Sequence, residues 1–402
     1  MSVSKLDYQG ERKSVKADEA ISVLVDILHS YGCAPEPSSV IAEHLADSDL
    51  CGVESHGVMR ILQYARQFED GYMTAKGAPY ISDEDGSFIT VDGRSSHGIP
   101  AMKLAYDASC TLAAKIGISA TSIVNVGHTG RHGAFADNAA EKGLVSILIG
   151  GGNRQIWRQV APHGGIDAKL PTNPYCIGFP GDDNGPFVMD FATSLIAGGW
   201  IYAAQAAGAN LPPGCIIDKH GNPSIRPEDY FEGGAILPAA GQKGYALALT
   251  AELIAKALLG PVKTEGNWLL LVIDAKKMRT ATGLQARAGE IMADMRNCRP
   301  APGFDRVDVP GQRERRIRAE SNGIIAIPAA TWRAILAFRD RCVTSNGLDE
   351  ETEVLSESSP QNYLRFFRGG NAMDRLTWPK AKYVSNSPRQ GTRVRLFRIK
   401  FS

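Results

Sequence analysis

The chain lacks the marks of several common protein classes. It has no C-x-x-C pair, no G-x-G-x-x-G opening a strand-turn-helix unit, no G-x-x-x-x-G-K-[ST] loop and no apolar run long enough to span a bilayer. The first absence leaves seven scattered cysteines, Cys33, Cys51, Cys110, Cys176, Cys215, Cys298 and Cys342, an odd count that fits reduced thiols in a reducing compartment. The second and third disfavour a Rossmann domain and a phosphate loop. The fourth argues against a membrane span. An excess of one charge is missing too: 44 Lys and Arg stand against 43 Asp and Glu, so nothing draws the chain as a whole to nucleic acid or to a membrane. Residues 1–7 contain no apolar signal core and Lys400-Phe401-Ser402 is not the usual peroxisomal address, so the expected location is cytoplasmic.

What is present is a chain of 402 residues with 44% hydrophobic content, enough to bury one or two ordinary cores. Its most informative stretch is Asp49-Leu50-Cys51-Gly52-Val53-Glu54-Ser55-His56-Gly57-Val58-Met59-Arg60. Residues 61–68 have helical spacing, which predicts a helix beginning near Ser55 that carries His56, Arg60 and Tyr64 on one face. An imidazole, a guanidinium and a phenol on one face suit a small carboxylate. Arg60 grips the carboxylate bidentately while His56 exchanges a proton with a neighbouring oxygen, Ser55 orienting it. Taken alone, Ser55-His56-Gly57 equally fits a capping serine with a histidine on an interior helix face.

A second group of residues offers places for a nucleotide. Gly127-His128-Thr129-Gly130-Arg131-His132-Gly133 lies between an expected strand, Ile118–Val126, and a helical run starting near Ala134. Small residues at a strand end that leads into a helix let backbone amides approach a phosphate or ribose. Gly150-Gly151-Gly152-Asn153 follows the next apolar run and offers a second approach. Both segments also read as ordinary tight turns. Asp190 stands where the run 186–189 surfaces, placed to orient an imidazole, accept a ribose hydroxyl or cap a helix. Lys243 sits between Gly241 and Gly244, with room to meet a phosphate, though a surface lysine would look the same. His128-x-x-x-His132 lacks an acidic ligand at zincin spacing, so no metal is expected.

The periodicities give an organisation in parts. Helices are expected in 14–78, where Ile21, Leu24, Val25 and Leu28 mark one amphipathic stripe and Val40, Ile41, His44 and Leu45 a second, with Pro35 and Pro37 between. Residues 79–280 alternate short apolar runs with Gly and Pro. Strands are expected there at Ile118–Val126, 144–149, 187–189 and 269–273, and helices at 101–115, 134–142 and 245–258. Residues 281–340 are helical again at 286–295 and 329–338. Residues 341–402 turn from an acidic patch to a basic run and are expected to form a solvated, poorly ordered extension. The fold class this predicts is α+β, a sandwich in which helices pack on a sheet.

With Ser55-His56-Gly57 come, in order, Val91-Asp92-Gly93, Gly127-His128-Thr129-Gly130, Thr172-Asn173-Pro174, Met189-Asp190-Phe191-Ala192-Thr193-Ser194, Gly233-Gly234-Ala235-Ile236-Leu237-Pro238 and Gly241-Gln242-Lys243-Gly244-Tyr245. This ordered set resembles the malate/L-lactate dehydrogenase family, which includes ureidoglycolate, sulfolactate and diketogulonate dehydrogenases and a cyclic-imine reductase. The resemblance runs from about Ala17 to about Phe338. It implies a mixed sheet with packed helices, a discontinuous helical domain built from both ends of the chain, and a cofactor fold that is not a Rossmann fold. It also implies an NAD- or NADP-dependent oxidoreductase, a homodimer, acting on a small 2-hydroxy or 2-oxo carboxylic acid. The alternatives are reduction of a cyclic imine carboxylate and a noncatalytic nucleotide-binding relative.

By the resemblance His56 or His128 handles the proton, with Ser55 and Asp190 as partners. Arg60, Tyr64 and Thr172 are expected at the substrate. The cofactor is expected at His128, Thr129, Gly130, Gly152, Asn153, Asp190, Phe191, Ala192, Lys243 and Gly244. Two positions depart from the family pattern: Thr129 stands where many members have a bulky aromatic residue, and Gln242 where relatives commonly have His.

Overall fold

The computed structural model describes residues 10–345 apart from 208 and 279. Most of the basic segment of 341–402 therefore lies outside the described residues. In chain order the elements are β1 (Arg12–Lys16), α1 (Ala17–Ser30), α2 (Pro35–Leu50), α3 (Ile61–Glu69), β2 (Tyr80–Asp85), β3 (Phe88–Ser96), α4 (Gly98–Ile116), β4 (Ile118–Val126), α5 (Gly133–Glu141) and β5 (Leu144–Gly152). They continue with β6 (Tyr175–Asp182), β7 (Gly185–Phe191), α6 (Gly198–Ala207), β8 (Ile216–Ile217), β9 (Pro223–Ser224), α7 (Pro227–Phe231), β10 (Ala235–Ile236) and α8 (Gln242–Glu252). After α8 comes one π-helical stretch, Leu253–Leu258, and then β11 (Gly266–Asp274), α9 (Ala281–Arg296), α10 (Gln312–Ser321), β12 (Ile324–Pro328) and α11 (Ala329–Ser345).

Seven strands form one mixed sheet in the order β2-β3-β4-β11-β5-β6-β7. Only β3 and β4 run parallel, joined by the crossover helix α4. Gly117, at φ 103°, ends α4 in the left-handed conformation that a side chain resists. The two faces of the sheet are read from the alternation along β5 and β11. Gly150 pairs with Trp268, and on that face Trp268, Leu270 and Val272 pack with Leu148, Ala136, Ala139 and Met102, beneath α4 and α5. One residue further on, Gly151 lies against Ala251 and Ala255, so the opposite face carries α8 and its π-helical continuation.

A helical layer lies beside the sheet. Apolar residues recurring along α1 and α2 put Leu24, Ile27, Leu28, Ile41 and Leu45 into one core with Ile61, Tyr64, Trp332 and Ile335. Residues from both ends of the described chain thus share a single buried cluster, each fully buried large side chain contributing roughly 1.5–3 kcal/mol. A two-stranded antiparallel sheet closes it, with Arg12 opposite Pro328 and Lys16 opposite Ile324. A third, smaller unit places Val160, Leu170, Ile201, Ile216 and Ile236 under the three-stranded sheet β10-β8-β9. Among the described residues no helix is long and apolar enough to cross a membrane.

Most strands and helices expected from the apolar pattern are present, and Ile118–Val126 matches end to end. The stretch expected as one helix over 245–258 instead leaves α-geometry at Leu253. There the side chain of Asn267 donates to the carbonyls of Ala255 and Gly260, both at 3.1 Å, taking up backbone acceptors at the wider turn.

The pairing of Gly150 with Trp268 gives a first test. A Cβ on Gly150 would come within 2.0 Å of the indole. Gly150→Ala is expected to destabilise the protein by about 1–3 kcal/mol through overpacking. The check is chemical denaturation, and an unchanged midpoint would show that the indole has room to move.

Candidate active site

The segment around Ser55 does not form the single helix that its spacing predicts. It makes two short 3-10 turns, Glu54–His56 and Val58–Arg60, and α3 begins only at Ile61. The break is Gly57, held at φ −87°, ψ −163°. Its cause is Asp49 of α2, whose carboxylate accepts a 2.7 Å hydrogen bond from the Val58 backbone N–H. A Cβ at position 57 would lie 2.1 Å from that carboxylate, so only glycine fits between them. The bend leaves His56 against His128, and Arg60 against the Ser55 carbonyl and α6, rather than both along one helix face.

The residues brought together are those of a compact polar cleft. Ser55 Oγ lies 3.0 Å from His56 Nδ1. The rings of His56 and His128 stack at 5.5 Å, and Tyr64 Oη lies 2.7 Å from His128 Nδ1. Arg60 donates from Nε to the Ser55 carbonyl at 2.6 Å and from Nη1 to Gln63 Oε1 at 2.5 Å. Its Nη2 takes no hydrogen bond among the described residues and approaches α6 near Gly199. Tyr202, also on α6, lies within the electrostatic reach of Arg60.

Hydrogen bonds settle part of the proton bookkeeping. The Gly130 N–H donates to His128 Nδ1 at 3.3 Å, so that nitrogen is an acceptor and a neutral His128 carries its proton on Nε2. His97 Nδ1 likewise accepts from the Ile99 N–H, capping α4, and its ring meets Tyr64 edge-on at 4.1 Å. Burial, followed by the Arg60 guanidinium, holds both His56 and His128 well below the usual histidine range. Burial alone takes His97 down to about 3. Burial pushes the Tyr64 phenol up, so it stays protonated and available to donate. The cleft therefore presents neutral imidazoles at pH 7.

The other expected residues line a second stretch. The glycine-rich segment after β4 is packed and largely engaged: Thr129 Oγ1 bonds His132 Nε2 at 2.7 Å, and the Arg131 N–H donates to His44 Nε2 at 2.9 Å. Asp190 accepts from the Gly133 N–H at 2.7 Å and so caps α5 from the end of β7; its described partner is this amide rather than Ser55 or His56. The Gly152 N–H donates to Asn173 Oδ1, and the Asn173 amide donates to the Ala248 carbonyl and Glu252 of α8. The Thr172 carbonyl accepts from Thr193, whose own carbonyl accepts from Ala239 N–H. The Ala239 carbonyl in turn accepts from Gly244 N–H. These bonds tie Gly152, Thr172 and Gly244 into one rim through Asn173, Thr193 and Ala239, with Phe191 and Ala192 just before Thr193; Phe191 and Lys243 are exposed there. Asn153 joins rim to cleft, because its N–H donates to the Glu265 carbonyl at 2.7 Å while the Glu265 N–H reaches the end of β4 at Val126.

Sequence reasoning missed Glu265, Asn173 as a side chain, and Tyr72, whose hydroxyl accepts from Trp157 Nε1 at 3.0 Å. None stands in a motif with chemistry of its own. Asn173 carries one local signal, a positive φ of 37° inside the Thr172-Asn173-Pro174 block.

A helical layer stitched from both ends of the described residues, a mixed sheet and a histidine-rich cleft at the end of β4 together describe a dehydrogenase scaffold distinct from the Rossmann fold. The chain matches the malate/L-lactate dehydrogenase family over residues 15–336 and belongs to it. It is 31% identical to hydroxycarboxylate dehydrogenase B of Escherichia coli O157:H7, over 78% of this chain and 90% of that protein. It is 32% identical to L-lactate dehydrogenase of Cupriavidus necator, over 77% of this chain and 92% of that protein. The crystal structure of Δ1-piperideine-2-carboxylate reductase from Pseudomonas syringae pv. tomato superposes with a TM-score of 0.73 at 29% identity, covering 81% of this chain and 99% of that one.

The Asp49 carboxyl that bends the site carries a pH signature. Burial raises it from 3.8 to about 8, against the pull of the Val58 N–H. Folding therefore takes up a proton between about pH 4 and 8, and this group's contribution makes stability fall by about 1.4 kcal/mol per pH unit across that window. Asp49→Asn keeps an oxygen for Val58 and cannot ionise. Its melting temperature relative to the parent is expected to climb from pH 4 to 8 and then level off. A pH-independent difference would mean that Asp49 is ionised throughout.

Proposed function

We propose that the protein is an NAD- or NADP-dependent oxidoreductase that moves a hydride between nicotinamide and C2 of a small 2-hydroxy or 2-oxo carboxylic acid. The observation that carries this reading is the meeting of Arg60, His56 and His128 in one cleft, in a chain of this family. The named activities of its relatives point the same way. Similarity to a piperideine-carboxylate reductase supports a second reading, reduction of a cyclic imine carboxylate, which needs the same carboxylate grip. We read the chain as a cytosolic homodimer. The exposed Leu247, Leu253 and Leu258 on α8 and its continuation suit a partner surface.

The rim fits a dinucleotide in chemistry. An exposed ammonium, Lys243, suits a diphosphate, and the exposed apolar faces of Phe191 and Leu195 suit flat rings. When bound, the nicotinamide supplies or takes the hydride. Arg60 holds the substrate carboxylate through its Nη2 edge, with Tyr64 and Thr172 bounding the site. His128, with its proton on Nε2, donates a hydrogen bond to the substrate oxygen. His56 is the proton-transfer group: with Nδ1–H directed at Ser55 Oγ, its Nε2 lone pair takes the hydroxyl proton during oxidation and returns it during reduction. Asp190 acts as a positioning residue, through the capped end of α5.

This division of roles separates the histidines. His56→Ala is expected to lower kcat by roughly 100- to 10,000-fold with cofactor affinity nearly intact. For oxidation of 2-hydroxybutanoate, which carries no polar group beyond C2, kcat/KM of the parent is expected to stay flat down through pH 6.5 and to fall only at lower pH, where His56 gains its proton. That acid limb is expected to survive in His128→Ala and vanish in His56→Ala; a limb that persists without His56 would move the proton role elsewhere.

Lys243→Ala tests the rim. Loss of a charge-assisted contact of about 1.5–3 kcal/mol is expected to weaken dinucleotide binding by roughly 10- to 150-fold while substrate KM changes little. Unchanged dinucleotide affinity by calorimetry would remove Lys243 from the site.

A further inference from the structure

One half-buried titratable group at the cleft, with one carboxyl oxygen enclosed, has no part in the chemistry described so far. Glu265 enters β11 with its backbone fixed on both sides: its N–H donates to the Val126 carbonyl at 3.1 Å and its carbonyl accepts from Asn153. Thr264 Oγ1 also donates to Val126, at 2.5 Å, so the segment cannot swing away. Glu265 Oε2 is fully enclosed and has no hydrogen-bond partner among the described residues. Arg60, Tyr64 and Tyr72 lie within electrostatic reach of its carboxyl, and Arg60 and Tyr64 are the groups proposed above to meet the substrate. An enclosed acceptor without a donor is a liability that folding alone does not explain, because an apolar side chain of that size would bury at less cost.

We propose that Glu265 is a specificity residue, accepting a hydrogen bond from a hydroxyl or ammonium group that the substrate carries beyond C2 and opposing a second carboxylate there. The inference rests on the hydride-transfer reading of the cleft and narrows its substrate class to monocarboxylic acids bearing a donor group. Burial lifts the carboxyl to about 7, with Arg60 pulling the other way. Its discrimination against dicarboxylates therefore strengthens as it ionises above neutrality. The charged and titratable groups facing it are Arg60 and Tyr64 from the Ser55–Glu69 segment and Tyr72 beyond it. Both tyrosines stay protonated, since burial raises them well above their ordinary range.

The test compares three four-carbon acids, 2-oxobutanoate, 4-hydroxy-2-oxobutanoate and oxaloacetate, in the parent and in Glu265→Gln. At about pH 8.5 the variant is expected to lower the kcat/KM ratio of the hydroxy acid to 2-oxobutanoate about tenfold, and to raise that of oxaloacetate to 2-oxobutanoate by a similar factor. In the parent, the oxaloacetate ratio is expected to fall as pH rises through about 7, a readout that needs no variant to fold. Ratios unmoved by the substitution and by pH would overturn the assignment. If no acid is reduced with either dinucleotide, the hydride-transfer reading fails by itself. Calorimetric binding of the same acids, judged by the same ratios, then decides on Glu265.

Discussion

The backbone of Glu265 holds the two halves of the cleft together. Through its N–H it is tied to the end of β4, which leads into His128, and through its carbonyl to Asn153 at the end of β5. The strand that follows, β11, lies between those two strands in the sheet. The imidazoles and the rim proposed for the nucleotide are thus spaced by fixed ladder geometry and not by flexible loops, which is what hydride transfer over a short distance requires. The helical layer then adds its contribution from the other side, Arg60 and Tyr64 arriving on a segment bent by Asp49.

Charge in this cleft is governed by burial. His44, His56, His97, His128 and His132 all lie below their ordinary range, with desolvation the leading cause in each. Two arginines nearby reinforce the effect, Arg60 at the cleft and Arg131, which is bonded to Asp47 at 2.6 Å. Neutral rings keep their directional lone pairs and N–H groups, so hydrogen bonds can assign each one a tautomer. A cluster of cations would instead repel itself and recruit counter-ions.

The sheet and its helices were legible because a strand buried between layers reads as a short apolar run and an amphipathic helix as a 3.6-residue stripe. Ile118–Val126 and the expected helices over 101–115 and 134–142 show this. The strand pairing of Arg12–Lys16 with Ile324–Pro328 was not legible, since each is too short to show alternation and they meet across most of the described residues. At the site, motif residues Ser55, His56, Arg60 and His128 could be named in advance because their chemistry is local. Their geometry could not. The bend at Gly57 depends on Asp49 nine residues before Val58, and the capping of α5 by Asp190 on a contact 57 residues away. Glu265 was invisible because an acid beside a strand is an ordinary surface feature until the fold encloses it.

The pairing of β1 with β12 also bears on how the protein comes into being. Helices α1, α2 and α3 leave the ribosome before the sheet, yet the cluster they bury is completed by Ile325, Ile327, Trp332 and Ile335. The three helices cover much of one another, but throughout synthesis of the intervening sheet the part of their apolar surface that those four residues cover stays open. The nascent chain must therefore shelter that surface, by transient collapse or by a chaperone, until roughly the last described helix emerges. The sheet, whose strands lie within one continuous stretch of sequence, is free to form earlier, so the helical layer closes onto a scaffold that already exists.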